Sequence, residues 1–277
     1  TKPVDNNGST GITICYNKAE FVVGYRRAHA ASACGKILIE KMMNFKQSMI
    51  AHYTAQNGEI IFCGLTDKES KKIHDDAAPV MSIQILPSSY TQKFLFDLND
   101  NIIDMLKGIG IMYGPIWIEI FHDGEGFALN EIGYRYGGSL TYYPVDYFFG
   151  INQMKLLVHY LSTGEPLYSD FQKIRFLAEK KNSLYAILPV QLRSGKITEI
   201  RGLEDIRSRP SYYAMIQSHV VGDEIEASGT THQVFGYFHL ITEGREEMER
   251  EIQYLCKELL VIDEKGENML EVLYIRE

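Results

Sequence analysis

Residues 117 to 138, "WIEIFHDGEGFALNEIGYRYGG", hold two apolar runs around a turn, and each run carries a glutamate among alternating apolar residues. A strand sends alternate side chains to opposite faces, so each glutamate must meet water, a cation or a polar partner. Glu131, Gly133 and Arg135 share a face if their strand stays extended. Glu119 joins that face if Asp123, Gly124 and Glu125 form a three-residue loop with His122 opposite Gly126; Trp117 then lies opposite Glu131, with Glu119 diagonal to it. A two-residue loop sends the glutamates to opposite faces. Two carboxylates on one face repel unless a cation lies between them, and magnesium suits such a place because it takes carboxylate, water and phosphate oxygens. The plain alternative is a half-exposed hairpin whose glutamates face solvent.

Around this hairpin the pattern mixes both periods. "GITICY", "KILIEKMM", "SMIAHYTA" and "EIIFCGLT" alternate as strands, with Gln56-Asn57-Gly58 as a hairpin turn between the last two. Asn17 is the expected N-cap of a helix bearing Phe21, Val22, Tyr25, Ala28 and His29 at helical spacing. The polar stretch from Asp67 to Ser89 is expected to be loop, and a helix is expected from Thr91 to Lys107. Another helix runs from about Asn152 to Ser162 and stops at Gly164 and Pro166. From Ser183 the runs "LYAILPVQL", "KITEIRGL", "YYAMIQSHV", "QVFGYFHLIT" and "MLEVLYI" are strands, with the helix "GREEMEREIQYLCKELL" before the last.

The 277 residues, 45% of them hydrophobic, support a sizeable core and exclude disorder. A net charge of -8 argues against a nucleic-acid or anionic-membrane surface, which needs clustered Lys and Arg. No run reaches the roughly 18 to 20 apolar residues of a membrane span. Cys15, Cys34, Cys63 and Cys256 are scattered without a CxxC pair, which suits a reducing cytoplasm and buried thiols. The chain opens on Thr1 directly before "KPVDNNGSTG" and is expected to be a fragment of a longer protein.

Two further segments carry chemistry. "KPVDNNGSTGI" places Lys2 before Asn6, Asn7, Gly8, Ser9, Thr10 and Gly11, small residues whose N–H groups can surround phosphate oxygens while the lysine neutralises charge. It is not a Walker loop, and a plain turn is the alternative reading. "LIEKMMNFKQS" closes an apolar strand with Glu40 and Lys41 before Met42 and Met43, an arrangement that can offer backbone groups to a purine edge; the alternative for the methionines is plain core. Lys68, Lys71 and Lys72 in "DKESKK" read as a solvated charge run, with a place at the mouth of a site as the other possibility. His29 and His122 have no spaced partner and are assigned no role.

Taken in order, these segments resemble the ATP-grasp superfamily of carboxylate–amine ligases, biotin carboxylase and carbamoyl phosphate synthase type enzymes, and purine-pathway ligases. "KPVDNNGSTGI" is similar to the family's lysine strand and phosphate-covering loop, "LIEKMM" to its adenine hinge, and "GPIWIEI" with "ALNEIGYRYGGS" to its metal-binding strands. The resemblance covers about Lys2 to Gly164. It implies that Glu119 and Glu131 hold magnesium, with manganese as the substitute, on the phosphates of ATP, and that Arg135 and Lys2 face phosphate as catalytic residues. The cofactor-binding set it implies is Lys2, Asn6, Asn7, Gly8, Ser9, Thr10, Gly11, Glu40, Lys41, Met42, Met43 and Gln47. Gly133 stands where an asparagine is common in the family, which removes one metal ligand. Gln47 stands where many members place a ribose-binding glutamate, and its amide can still serve both hydroxyls.

The implied fold is α+β: an ATP-grasp fold of antiparallel sheets with flanking helices, followed by a smaller antiparallel β/α C-terminal domain. The expected divisions are residues 1–66 (partial lid and nucleotide hinge), 67–182 (core with the metal hairpin) and 183–277 (C-terminal domain). The implied activity is an ATP-dependent ligase that activates a carboxylate as an acyl phosphate and couples it to an amine. A bicarbonate-activating carboxylase or carbamoyl phosphate synthase-like subunit and a non-catalytic nucleotide-binding scaffold are the alternatives. Expected partners are small-molecule carboxylates and amines and, as one option, a second copy in a homodimer; no nucleic acid or membrane is expected.

Overall fold

The computed structural model of the chain describes residues 1–6, 10–43, 47–73 and 79–274. At the N-terminus β1 (Lys2–Pro3) pairs antiparallel with β2 (Ile37–Leu38), and α1 (Lys18–Ala31) lies between them in sequence. The Asn17 side chain accepts from the Glu20 N–H, the N-cap expected of it. "GITICY" is not a strand: Thr13 exchanges backbone hydrogen bonds with Thr1 at 2.9 and 3.0 Å, but no ladder extends from that pair. Strand β2 stops at Leu38, so Glu40 and Lys41 lie beyond it rather than closing it.

The main body is one sheet. Strands β3 (Gln47–Gln56) and β4 (Glu59–Lys71) form a hairpin whose turn residues, Asn57 and Gly58, both take positive φ, the conformation that asparagine and glycine adopt most readily. Then come β5 (Val80–Leu86), α2 (Thr91–Asp97), α3 (Asn99–Gly108), β6 (Gly114–His122), β7 (Phe127–Gly133), α4 (Tyr142–Phe149) and α5 (Gln153–Thr163). The expected loop from Asp67 to Ser89 is thus corrected: β4 continues through Lys71, and "VMSIQIL" is a strand. The expected helix from Thr91 to Lys107 is two helices, broken where Leu98 leaves helical geometry.

The chain ends with β8 (Leu184–Leu192), β9 (Gly195–Lys196), β10 (Glu199–Arg201), α6 (Leu203–Arg207), β11 (Tyr212–Gln217), β12 (Glu224–Ile225), β13 (Val234–Thr242), α7 (Arg245–Glu258), β14 (Leu260–Ile262) and β15 (Leu270–Glu271). Strands run β11-β13-β8-β5-β4-β3-β6-β7, with β15 also on β8, and every pairing is antiparallel. The β5–β8 pairing joins the C-terminal strands to the hairpin strands in a single nine-stranded sheet. Position 66/67, the first expected boundary within the body, lies inside β4, and position 182/183 lies directly before β8.

Three apolar clusters hold these layers. Met49, Ala51, Tyr53, Ile116, Ile118 and Ile120 on one face of β3 and β6 pack with Phe94, Ile102 and Leu106 of α2 and α3. Ile61 and Cys63 pack with Phe148, Phe149 and Phe171, while Leu188, Val190, Phe235 and Phe238 pack with Ile252 and Leu255 of α7. Burial of this kind contributes about 1.5–3 kcal/mol for each large apolar side chain. Of the cysteines only Cys63 is buried; Cys34, in the turn after α1, is exposed. Among the described residues no helix is long and apolar enough to cross a membrane.

Candidate active site

The face of β3 and β6 opposite that first cluster is polar. Cross-strand partners share a face, so the pairs Ser48–Lys68, Ser48–Phe121, Ile50–Glu119, Ile50–Thr66 and His52–Trp117 all project to this side. Glu119 lies directly opposite Glu131, and Trp117 directly opposite Gly133. The expected route to this pairing is corrected. His122 pairs with Phe127, not Gly126, and the loop has four residues, Asp123 to Gly126. Its Asp123 carboxylate accepts from the N–H groups of Glu125 (2.8 Å) and Gly126 (2.9 Å), and these bonds hold its pKa below the usual carboxylate range.

From that loop a regular ladder would set Glu131 opposite Ile118, on the core side. A β-bulge intervenes: Ile120 pairs with Leu129, Glu119 pairs with Glu131, and Asn130 is the extra residue. The bulge turns Glu131 onto the face of Glu119. It also brings the Asn130 amide to Glu119, to which its Nδ2 donates.

Glu119 meets a second partner, Lys68, whose ammonium donates to Oε1. The lysine reaches over β3, where Ser48 is paired with Lys68 on one side and Phe121 on the other. Both side chains are largely buried, at 23% and 12% exposure. The reading of Lys68 as part of a solvated run is therefore corrected: charge in the sequence concealed a strand, and the strand points this lysine inward. Lys71 and Lys72 are exposed. Gln47, Ser48, Lys68 and Glu119 line a common pocket of about 450 Å³.

The Trp117 indole explains Gly133. A Cβ at position 133 would lie 2.1 Å from Trp117 Cε2, so only glycine fits beneath the ring. The Arg135 guanidinium sits 5.2 Å from the centre of the same ring and donates from Nη1 to the Tyr136 carbonyl at 2.8 Å. Trp117 Nε1 is buried and has no hydrogen-bond partner among the described residues. His52, fully buried next to this row, bonds through Nε2 to the Thr66 hydroxyl at 2.7 Å, and burial pushes its pKa down to about 4, keeping it neutral.

The other expected residues belong to the N-terminal unit. Lys2 and Glu40 pair with each other at 2.8 Å, and Asn6 donates from its amide to the Ala31 carbonyl at 2.8 Å. Gly11 is buried and Thr10 half-buried; Lys41 and Met42 are exposed, and Met43 is half-buried. Asn7, Gly8 and Ser9 lie outside the described residues. The structure thus gathers Gln47, Glu119, Glu131 and Arg135 around one face, and Lys2, Asn6 and Glu40 around another small sheet. Trp117, Asn130 and His52 were missed. The signal for Trp117 was present, since a tryptophan two residues before the first glutamate shares its face.

No protein-family model matches the chain, and no curated protein matches it in sequence. Its structure is similar to that of an L-amino acid ligase from Bacillus licheniformis (TM-score 0.64, 20% identity, 80% of this chain and 55% of that one). It is similar to a phosphoribosylglycinamide synthetase from Anaerococcus prevotii (TM-score 0.68, 12% identity, 90% of this chain and 61% of that one). It is also similar to the biotin carboxylase domain dimer of 2-oxoglutarate carboxylase from Hydrogenobacter thermophilus, solved with MgADP, ADP and bicarbonate (TM-score 0.67, 16% identity, 98% of this chain and 57% of that one). These are ATP-grasp enzymes, and the chain has the ATP-grasp fold. It spans 55% to 61% of the length of these proteins.

Proposed function

We propose that the chain is the nucleotide-binding part of an ATP-dependent ligase that activates a carboxylate as an acyl phosphate and couples it to an amine. The observation that carries this reading is the Glu119–Glu131 pair, two carboxylates directly opposed on the polar face of a sheet whose other face is core. The donor set fits a divalent cation: the bulge puts the exposed Glu131 carboxylate on the Glu119 side, and each Glu119 oxygen, accepting one bond from Lys68 or Asn130, keeps a second lone pair. Glu119 and Glu131 would hold magnesium, or manganese in its place, and the bound ion would supply neutralising charge for the polyphosphate.

In the reaction, a substrate carboxylate oxygen bonds to the γ-phosphorus of ATP as the bond to the bridging oxygen breaks and ADP leaves. The amine nitrogen then bonds to the acyl carbon, phosphate departs with the electron pair of the broken bond, and the nitrogen gives its proton to solvent. Little covalent work falls to the protein, so its groups act by position and charge. Lys68 puts cationic charge beside Glu119, and Arg135, braced on Trp117, presents a guanidinium next to the same strand. Gln47 serves the ribose hydroxyls at the pocket wall. Lys2, with Asn6 to Gly11, covers the phosphates; Glu40 to Met43 forms the adenine hinge between β2 and β3. A cytoplasmic setting, as the scattered cysteines suggest, and a homodimer belong to the same proposal.

One observation favours a second reading, a nucleotide-binding scaffold without turnover: the Trp117 ring leaves no room at position 133 for an amide ligand. Both readings are tested by incubating the full-length protein with ATP, magnesium and hydroxylamine against a panel of L-amino acids and bicarbonate. The ligase reading expects an acyl hydroxamate and ADP in equal amounts with one class of carboxylate. ATP binding without ADP release across the panel supports the scaffold, and ADP release with bicarbonate alone supports a carboxylase.

A further inference from the structure

Strand β4 is paired from Glu59 to Lys68 on the β3 side but only from Asp67 to Lys71 on the β5 side. Residues 59–66 therefore present one edge that no strand among the described residues covers. Helices take the place of the missing strand. On one face Ile60 and Leu65 pack toward Phe94 and Ile102 of α2 and α3, and on the other Ile61 and Cys63 pack toward Phe148, Phe149 and Phe171. These two groups of elements do not close on each other. Between them lies a cavity of about 750 Å³, larger than the pocket at Glu119.

The walls of this cavity are apolar, with Phe62, Leu95 and Ile103 on one side and Phe148, Phe149 and Phe176 on the other. Its charged lining residues are Arg175 and Lys181, and among the described residues no acidic one lines it, although the chain has 36 Asp and Glu and a net charge of -8. Arg175 is braced from behind, its Nη1 donating to the carbonyls of Gln172 (2.5 Å) and Ile174 (2.8 Å). Its Nε and Nη2, like the Lys181 ammonium, have no hydrogen-bond or ion-pair partner among the described residues. A volume of this size is that of a small-molecule site, and its apolar walls hold water poorly. A guanidinium held by two carbonyls and an ammonium, both lining one cavity, match a carboxylate.

From this geometry we infer a second binding site, separate from the Glu119 pocket, for a small carboxylate with an apolar body, such as a medium-chain or aromatic acid. The body lies between the phenylalanine walls along the free edge of β4, and the carboxylate meets Arg175 and Lys181. The site is independent of the nucleotide reading, because its residues share no side chain with the pocket at Glu119.

The test is calorimetric titration of the full-length protein with octanoate and, separately, with uncharged octanamide. Two variants accompany it: Ile103→Trp, which fills the cavity, and the double variant Arg175→Glu/Lys181→Glu, which reverses its charge on exposed positions that carry no core packing. Circular dichroism verifies that each is folded. Octanoate is expected to bind one to one and at least about tenfold more tightly than octanamide, one charge-assisted contact being worth that much. Binding is expected to fall at least about tenfold in the charge-reversed variant and to be lost in the filled one. Absence of octanoate binding, equal binding of octanamide, or binding unchanged in the charge-reversed variant overturns the inference. Should Ile103→Trp fail to fold, the charge-reversed variant decides alone.

Discussion

Trp117 and Gly133 form a single unit in which the indole lies where a side chain at 133 would begin. Replacing Gly133 by asparagine, the residue that the resemblance leads one to expect there, forces the ring or the strand to move. Gly133→Asn is expected to lower stability by about 1–3 kcal/mol, the usual range for overpacking. Trp117→Ala/Gly133→Asn is expected to recover much of that loss relative to Trp117→Ala alone; chemical denaturation of the three variants measures it. Lys68 gives a second residue-level expectation. Its ammonium is held at Glu119 while Lys71, three residues on, is exposed. Lys68→Ala is therefore expected to weaken binding of magnesium–ATP by about tenfold or more, and Lys71→Ala by less than about twofold.

At the scale of the element, the bulge in β7 decides where Glu131 points. Deleting Asn130 converts the bulge into a regular ladder in which Glu131 follows Leu129 and still faces Glu119, so metal–ATP binding should survive within a few-fold. Inserting an alanine between Asn130 and Glu131 moves Glu131 opposite Ile118 and should abolish that binding. Titration of both variants checks the pair of outcomes. The same element shows why sequence reading reached the right face by the wrong path. The two glutamates and their alternation are local and visible, whereas a bulge depends on a ladder partner that spacing does not reveal. Asp67 to Lys71 and Val80 to Leu86 were read as loop because charged and short apolar runs hide a strand whose second face is itself a polar site. Lys68 was set aside for the same reason. By contrast, the Asn17 cap and the Gly164 stop rest on backbone chemistry local to a few residues, and both occur in the structure.

Across the whole molecule, one antiparallel sheet carries the hairpin and the C-terminal strands, and the buried histidines His52 and His239 lie in it. His52 is held neutral beside Thr66; His239 receives or gives a hydrogen bond at 2.8 Å with the Tyr185 hydroxyl, and burial lowers the pKa of each to about 4. The unfolded chain takes up these protons near pH 6.5, while the folded chain resists until about pH 4. Stability is therefore full above pH 6.5 and falls as pH drops toward 4, by up to about 1.4 kcal/mol per pH unit for each histidine. Denaturation midpoints across this window, in the protein and in His52→Gln, should show a shallower slope in the variant. The central claim, that the polar face of this sheet is a metal–nucleotide site built on Glu119 and Glu131, is tested most directly by calorimetric titration with ATP and magnesium. The measurement compares the full-length protein with a folded Glu119→Ala/Glu131→Ala variant. The account predicts binding by the wild type and its loss in the variant; equal binding by both, or binding by neither, contradicts it.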